Sequence, residues 1–167
     1  MKKIISIVLA VALIFVLAVT AMAAEIAECT VSADSVTAGK TVTVPVRITG
    51  NRGFTNFGIA LDYDREQLEL LSIQTTAGET PYLCGAVAAG NTQWAGADGK
   101  TYGYVTAALE DAVTEDGILF TATFRVSEDF SGTAAVQPVV QYMRSNKRLL
   151  SVFDAIPVTT VSGTVSA

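Results

Sequence analysis

Apolar and polar residues alternate in short segments along most of the chain, a pattern typical of half-buried β-strands. Segment 41–48 is the clearest case, because every second residue is a branched apolar one: Val42, Val44, Val46 and Ile48. Pro45 lacks a backbone N–H, which predicts an edge or a bulge in this strand. Segments 56–63 and 118–126 alternate in the same way, with Phe57 and Ile59 on the predicted inner face of the first. Between residues 64 and 67 we expect one helical turn.

The segment from Thr101 to Leu109 is also predicted to be a strand, but neither of its sides is polar. One side carries Tyr102, Tyr104, Thr106 and Ala108, and the other carries Gly103, Val105, Ala107 and Leu109. We assign the side with Tyr104 to the core. The side with Val105 is then an apolar surface, a feature that commonly marks an interface.

About nine short strands, separated by turns and without a long helical period, predict an all-β sandwich. The first residues have a different character. Lys2 and Lys3 precede an apolar run from Ile4 to Val19, and Ala21-Met22-Ala23 offers small residues for cleavage, which together predict a signal peptide at residues 1–23. A retained membrane anchor is the alternative, although the run is shorter than the ~20 residues that span a bilayer. Cys29 also raises a lipoprotein alternative, but Glu28 precedes it where a small residue is required.

The charge and cysteine content of the chain limit the kinds of partner and cross-link that it can have. The chain has 11 Lys and Arg residues against 16 Asp and Glu, a net charge of −5, and loss of Lys2 and Lys3 with the signal peptide makes it −7. An acidic domain repels nucleic acid, so we expect no nucleic-acid partner. Because the only long apolar run is removed with the signal peptide, we also expect no membrane span after cleavage. In an exported protein Cys29 and Cys84 could form a disulfide, and two buried thiols are the alternative.

No strong catalytic signal is present. The chain has no histidine, which removes the commonest general base and most zinc sites. Neighbouring acids such as Glu110 and Asp111 are typical of solvated loop charges. Trp94 is the only tryptophan and could stack on a sugar, so a carbohydrate-binding module of similar jelly-roll fold is an alternative function.

The order of the segments resembles the cohesin family, the domains of cellulosomal scaffoldins that bind dockerin modules. The matching segments are residues 38–46, 57–64 followed by 68–70, 115–126 and 161–165, so the similarity spans about residues 26–167. The resemblance implies a nine-stranded jelly-roll β-sandwich over residues 24–167 that holds a small helical dockerin on one sheet face. It also implies a secreted, monomeric, non-catalytic protein, free in the medium or on the cell surface, that assembles polysaccharide-degrading enzymes into a cellulosome-like complex. Cofactors are not expected on this chain, and calcium is expected on the dockerin.

Strand alternation and the resemblance together give a predicted partner-binding face. The resemblance places an Asn near the start of the third strand and an acidic residue two positions later, where this chain has Asn56 and Gly58. Apolar residues and a Glu are expected on the sixth strand. The predicted face consists of Asn56, Gly58, Ala60, Asp62, Val105, Ala107, Leu109, Glu110, Leu119, Thr121 and Thr123, with Asp62 and Glu110 as an acidic rim toward Lys or Arg of the partner.

Overall fold

The computed structural model describes residues 28–75, 82–84, 88–147 and 152–167. The predicted signal peptide lies outside these ranges. The described residues form twelve β-strands and no helix: β1 (Cys29–Ala33), β2 (Val36–Thr37), β3 (Thr41–Thr49), β4 (Phe54–Tyr63), β5 (Leu68–Gln74), β6 (Ala88–Ala95), β7 (Thr101–Val113), β8 (Gly117–Val126), β9 (Thr133–Lys147), β10 (Val152–Ala155), β11 (Val158–Val161) and β12 (Gly163–Ser166). The predicted helical turn at 64–67 is a hydrogen-bonded turn, in which the Asp64 carboxylate accepts the amides of Glu66 and Gln67.

The strands form two sheets. The small sheet has the order β11-β1-β3-β8-β5, and the large sheet has the order β2-β12-β9-β4-β7-β6, with β10 paired to β9. Because the chain passes repeatedly from one sheet to the other between β3 and β9, the architecture is the predicted all-β jelly-roll sandwich.

The core lies between the two sheets and is built by the predicted alternation. Val42, Val44, Val46 and Ile48 of β3 are buried, as are Phe57 and Ile59 of β4 and Phe120 and Phe124 of β8. Aromatic contacts connect the layers, since the Tyr63 and Phe124 rings meet edge to face with centroids 5.1 Å apart. The predicted irregularity near Pro45 is a shift in register between Val46 and Arg47, although β3 is an interior strand.

The strand count exceeds the predicted nine mainly at the edges. The predicted closing strand, 156–165, is divided into β11 and β12, which belong to different sheets. Gly163 lies at the crossing, and a Cβ atom there would be 2.6 Å from the carbonyl oxygen of Ala33. This close backbone approach explains why the strand is interrupted at a glycine.

Cys29 and Cys84 are both buried and both free, so the possible disulfide does not form. The Cys29 Sγ instead lies 3.7 Å from the Met143 Sδ and 3.6 Å from the Pro157 carbonyl oxygen. Burial raises the pKa of both thiols, that of Cys84 to about 12. The alternative interpretation, two small buried apolar residues, describes them correctly.

Candidate partner-binding surface

The outer side of the large sheet is a continuous surface with β4 in its middle. On this side Gly58 lies between Thr106 of β7 and Tyr142 of β9, and Ala60 lies between Tyr104 and Val139. Residues that pair directly across antiparallel strands point to the same side. We call this surface the aromatic face and define it by Asn56, Gly58, Ala60, Asp62, Trp94, Tyr102, Tyr104, Thr106, Ala108, Val139, Tyr142 and Arg144.

Two tyrosines cover the centre of the aromatic face. The Tyr104 hydroxyl and the Tyr142 ring close over Gly58, where a Cβ atom would lie 2.5 Å from the Tyr142 Cε1. The site therefore has no room for a side chain at position 58. Burial and the neighbouring Tyr142 hydroxyl raise the pKa of Tyr104, so the Tyr104 phenol is neutral at physiological pH. The family resemblance places an acidic residue at position 58. This chain has a glycine there, and two phenol groups from neighbouring strands occupy the space above it.

Trp94 extends the aromatic surface to the edge strand β6. Its ring stacks on Tyr104 with centroids 4.6 Å apart and an interplanar angle of 21°, and it lies 6.1 Å from the Tyr102 ring. Together with Tyr142, these side chains form an aromatic row across β6, β7 and β9, over the small residues of β4. Each of the four aromatic residues is half-buried, so a partner can contact them.

A polar group without an internal partner lies at one end of the row. The Asn56 Oδ1 is buried and has no hydrogen-bond partner, although Asn56 as a residue is only half-buried. An acceptor left in this state is costly unless a bound molecule donates to it. Its strand neighbours are Ala108 and Arg144, and the Arg144 guanidinium lies 5.2 Å from the centroid of the Tyr142 ring.

The structure corrects the predicted binding face on strand β7. Val105 and Ala107 are 0% and 3% exposed and face the core, because they pair with the buried Ile59 and Phe57. Tyr104 points outward, contrary to its predicted place in the core. Leu109 is half-buried and packs against the core, and only Glu110 of this group is exposed.

The three residues predicted on β8 are also wrongly placed, because β8 belongs to the small sheet and cannot share a face with β4. Leu119 is 0% exposed. Thr121 is 6% exposed, and its hydroxyl is 2.8 Å from that of Tyr82. Thr123 is on the outside of the small sheet, 3.1 Å from the Thr43 hydroxyl.

The four residues predicted on β4, namely Asn56, Gly58, Ala60 and Asp62, do lie together on the aromatic face. This face also carries four residues that were not predicted from the sequence: Tyr102, Tyr104, Tyr142 and Arg144. A signal for the tyrosines was present, since Gly58 and Ala60 leave space on the outer side of β4 that only bulky neighbours can fill.

Two kinds of feature are absent from the parts of the chain that the structure describes. None of these residues belongs to a helix long and apolar enough to cross a bilayer. No group of three or more acidic or cysteine side chains is close enough together to hold a metal ion within these ranges.

The chain is similar to known proteins in its sequence pattern and in its fold. The family model for the cohesin domain matches residues 27–166. No curated protein matches the chain. Among solved structures, the seventh ScaB type I cohesin from Pseudobacteroides cellulosolvens has a TM-score of 0.66 at 19% identity, covering 83% of this chain and 91% of that chain.

Other solved structures are similar to this chain as well. A type I cohesin–dockerin complex from Clostridium thermocellum has a TM-score of 0.65 at 18% identity, covering 84% of this chain and 99% of that chain. A non-cellulosomal cohesin from the archaeon Archaeoglobus fulgidus has a TM-score of 0.60 at 22% identity, covering 83% and 90%. At these identities the similarity establishes a common fold.

Proposed function

The chain belongs to the cohesin domain family, and from this membership we propose that it binds the dockerin module of another protein through the aromatic face. The observation that carries the proposal is the aromatic row, whose four side chains are half-buried on the outer side of the large sheet. Tyr, Trp and Arg are enriched in protein interfaces and supply most of their binding energy. The structural relatives include a cohesin in complex with a dockerin, which supports this class of partner.

The proposed interface differs from the one predicted from the sequence. Its centre is Tyr104 and Tyr142 over Gly58, its aromatic edge is Trp94, and its unpartnered acceptor is the Asn56 Oδ1. Asp62 remains on this face, and Glu110 is exposed at the end of β7, so both are retained as the acidic rim. Val105, Ala107, Leu119 and Thr121 are excluded because they are buried.

Cohesin domains are protein-interaction modules, and we propose a non-catalytic role for this one. We further propose that it acts as an exported monomer outside the cell or on its surface and brings dockerin-bearing enzymes of polysaccharide degradation into a cellulosome-like complex. Its acidic net charge of −5 is consistent with the absence of a nucleic-acid partner. Calcium would be held by the dockerin.

Carbohydrate binding through Trp94 is not favoured. One face of its indole is already covered by the Tyr104 ring at 4.6 Å, which removes part of the flat surface on which a sugar would stack. The family membership also favours a protein partner.

The test is affinity capture of secreted proteins from the source organism on the immobilised domain, with calcium or with a chelator. We expect dockerin-bearing proteins to be recovered with calcium and lost with the chelator, and a purified dockerin module to bind the domain directly. Binding to insoluble cellulose or starch that is lost in Trp94→Ala, with no dockerin binding, would contradict the proposal.

A further inference from the structure

A small cavity lies on the aromatic face beside the turn between β6 and β7. Its volume is about 270 Å³, and its walls include Trp94, Tyr102, Asp62, Asp98 and Gln141. Because a water molecule takes about 30 Å³, the cavity has room for a long side chain. It is separate from the centre of the face, where Tyr104 and Tyr142 close over Gly58.

The ionisable side chains on the cavity wall that carry a full charge are both acidic. The Tyr102 hydroxyl donates to the Asp98 Oδ2 at 2.5 Å, and the Lys100 amide donates to the Asp98 Oδ1 at 3.1 Å. These hydrogen bonds lower the pKa of Asp98 and keep it ionised. The Asp62 carboxylate has only a weak cationic neighbour, since its Oδ1 lies 4.0 Å from the Arg65 Nη1.

The Tyr102 ring on the cavity wall, like two other tyrosine rings of the domain, already contacts a cation of this chain. The Arg65 guanidinium lies 5.1 Å from the centroid of the Tyr63 ring and 5.4 Å from that of Tyr102. At the other end of the face, the Arg144 guanidinium lies over the Tyr142 ring. Cation–aromatic contacts of this kind are favourable within about 6 Å, and more so when they are desolvated.

We propose that this cavity receives a Lys or Arg side chain of the bound partner. The cation would lie on the open side of the cavity against the Trp94 and Tyr102 rings, whose centroids are only 6.1 Å apart, and form charge-assisted hydrogen bonds with the Asp98 and Asp62 carboxylates. The inference rests on the proposed function, and it assigns a particular side-chain chemistry to one end of the interface.

Trp94 makes the cavity directly observable. It is the only tryptophan of the chain, so intrinsic tryptophan fluorescence reports on this wall of the cavity and on the Tyr104 ring stacked against it. The first probe is N-acetyl-arginine amide, and its matched control is N-acetyl-citrulline amide, which has nearly the same shape without the charge. We expect a saturable fluorescence change with the arginine probe at millimolar concentrations and none with the citrulline probe.

Three variants test the carboxylates. Asp98→Asn and Asp62→Asn should each weaken binding of the arginine probe by about 3–10-fold, because each removes one favourable contact between a carboxylate and the bound cation. Asp129→Asn is the matched control, because it removes the same charge from an exposed turn between β8 and β9. It should leave the binding unchanged.

A failure of this inference is distinguishable from a failure of the proposed function. If a dockerin binds the domain but Asp98→Asn and Asp62→Asn keep full affinity for it, the cavity assignment is wrong and the proposed function stands. The assignment is also wrong if the arginine probe gives no saturable response, if citrulline binds equally well, or if cellohexaose saturates the signal instead. If no dockerin binds while the arginine probe does, the proposed function fails and the cavity still binds a cation.

Discussion

Two substitutions on neighbouring residues test which side of β7 faces the core. Val105→Thr replaces a methyl group by a hydroxyl, and Thr106→Val replaces a hydroxyl by a methyl group. Val and Thr have nearly the same shape, so Val105→Thr and Thr106→Val alter polarity with little change in volume. Val105 is 0% exposed. Placing a hydroxyl there without a hydrogen-bond partner should cost about 1–3 kcal/mol of unfolding free energy.

The cost is large enough to measure. In a domain of this size, 1 kcal/mol shifts the midpoint of thermal unfolding by about 3–4 °C, so Val105→Thr should lower it by about 3–12 °C. Thr106 is half-buried on the outer side, and Thr106→Val should stay within about 0.5 kcal/mol of the parent. Thermal melts and urea titrations followed by circular dichroism measure both values.

The opposite pattern would refute the assignment of the two faces. If Thr106→Val destabilised the protein while Val105→Thr left its stability unchanged, the tyrosine side of β7 would be the core side. The aromatic face would then not exist as a surface.

The remaining predictions concern the thiols, the central glycine and one carboxylate. Cys29 and Cys84 are buried and free, and the raised pKa of each keeps it protonated, so Ellman's reagent at pH 8 should find no reactive thiol in the native protein and two after denaturation. Each folded-state pKa lies above the unfolded value, so the stability these groups contribute is complete below about pH 8.5 and is lost as the pH rises through the folded values. Gly58→Ala should displace Tyr104 and Tyr142, and it should therefore change the Trp94 fluorescence while the thermal midpoint moves by only a few degrees. Removing the Tyr102 hydroxyl in Tyr102→Phe should raise the lowered pKa of Asp98 toward its ordinary value, as measured by NMR titration of the carboxyl carbon; no change would show that the hydrogen bond is absent.

Strand periodicity predicted most of the fold because the inner and outer sides of β3 and β4 differ clearly in polarity. On β7 it was insufficient, since both sides are apolar and the larger side chains were assigned to the core. The structure shows the reverse. Gly103 faces inward, where Leu70 and Ile73 leave no room for a side chain, since the Leu70 Cδ2 is 2.5 Å from where a Cβ atom would lie. Tyr104 faces outward over Gly58.

The position of β8 could not be predicted from alternation either. The pattern shows which residues of a strand share a side, but it does not show to which of two sheets the strand belongs. Thr121 and Thr123 are therefore predicted on the same face as Asn56. In the structure both threonines belong to the small sheet, whereas Asn56 belongs to the large sheet. Long-range register, such as the pairing of Val44 with Ala122, decides this question.

The most direct test of the central claim is calorimetric titration of a calcium-loaded dockerin module into variants of the two outer sheet faces. Tyr142→Ala removes a ring from the aromatic face of the large sheet, and Thr123→Ala removes a hydroxyl from the outer face of the small sheet. We expect Tyr142→Ala to lose about 1–2 kcal/mol of binding free energy, roughly tenfold in affinity, and Thr123→Ala to bind like the parent. Unchanged affinity in Tyr142→Ala together with a loss in Thr123→Ala would contradict the account, because the partner would then bind the small sheet.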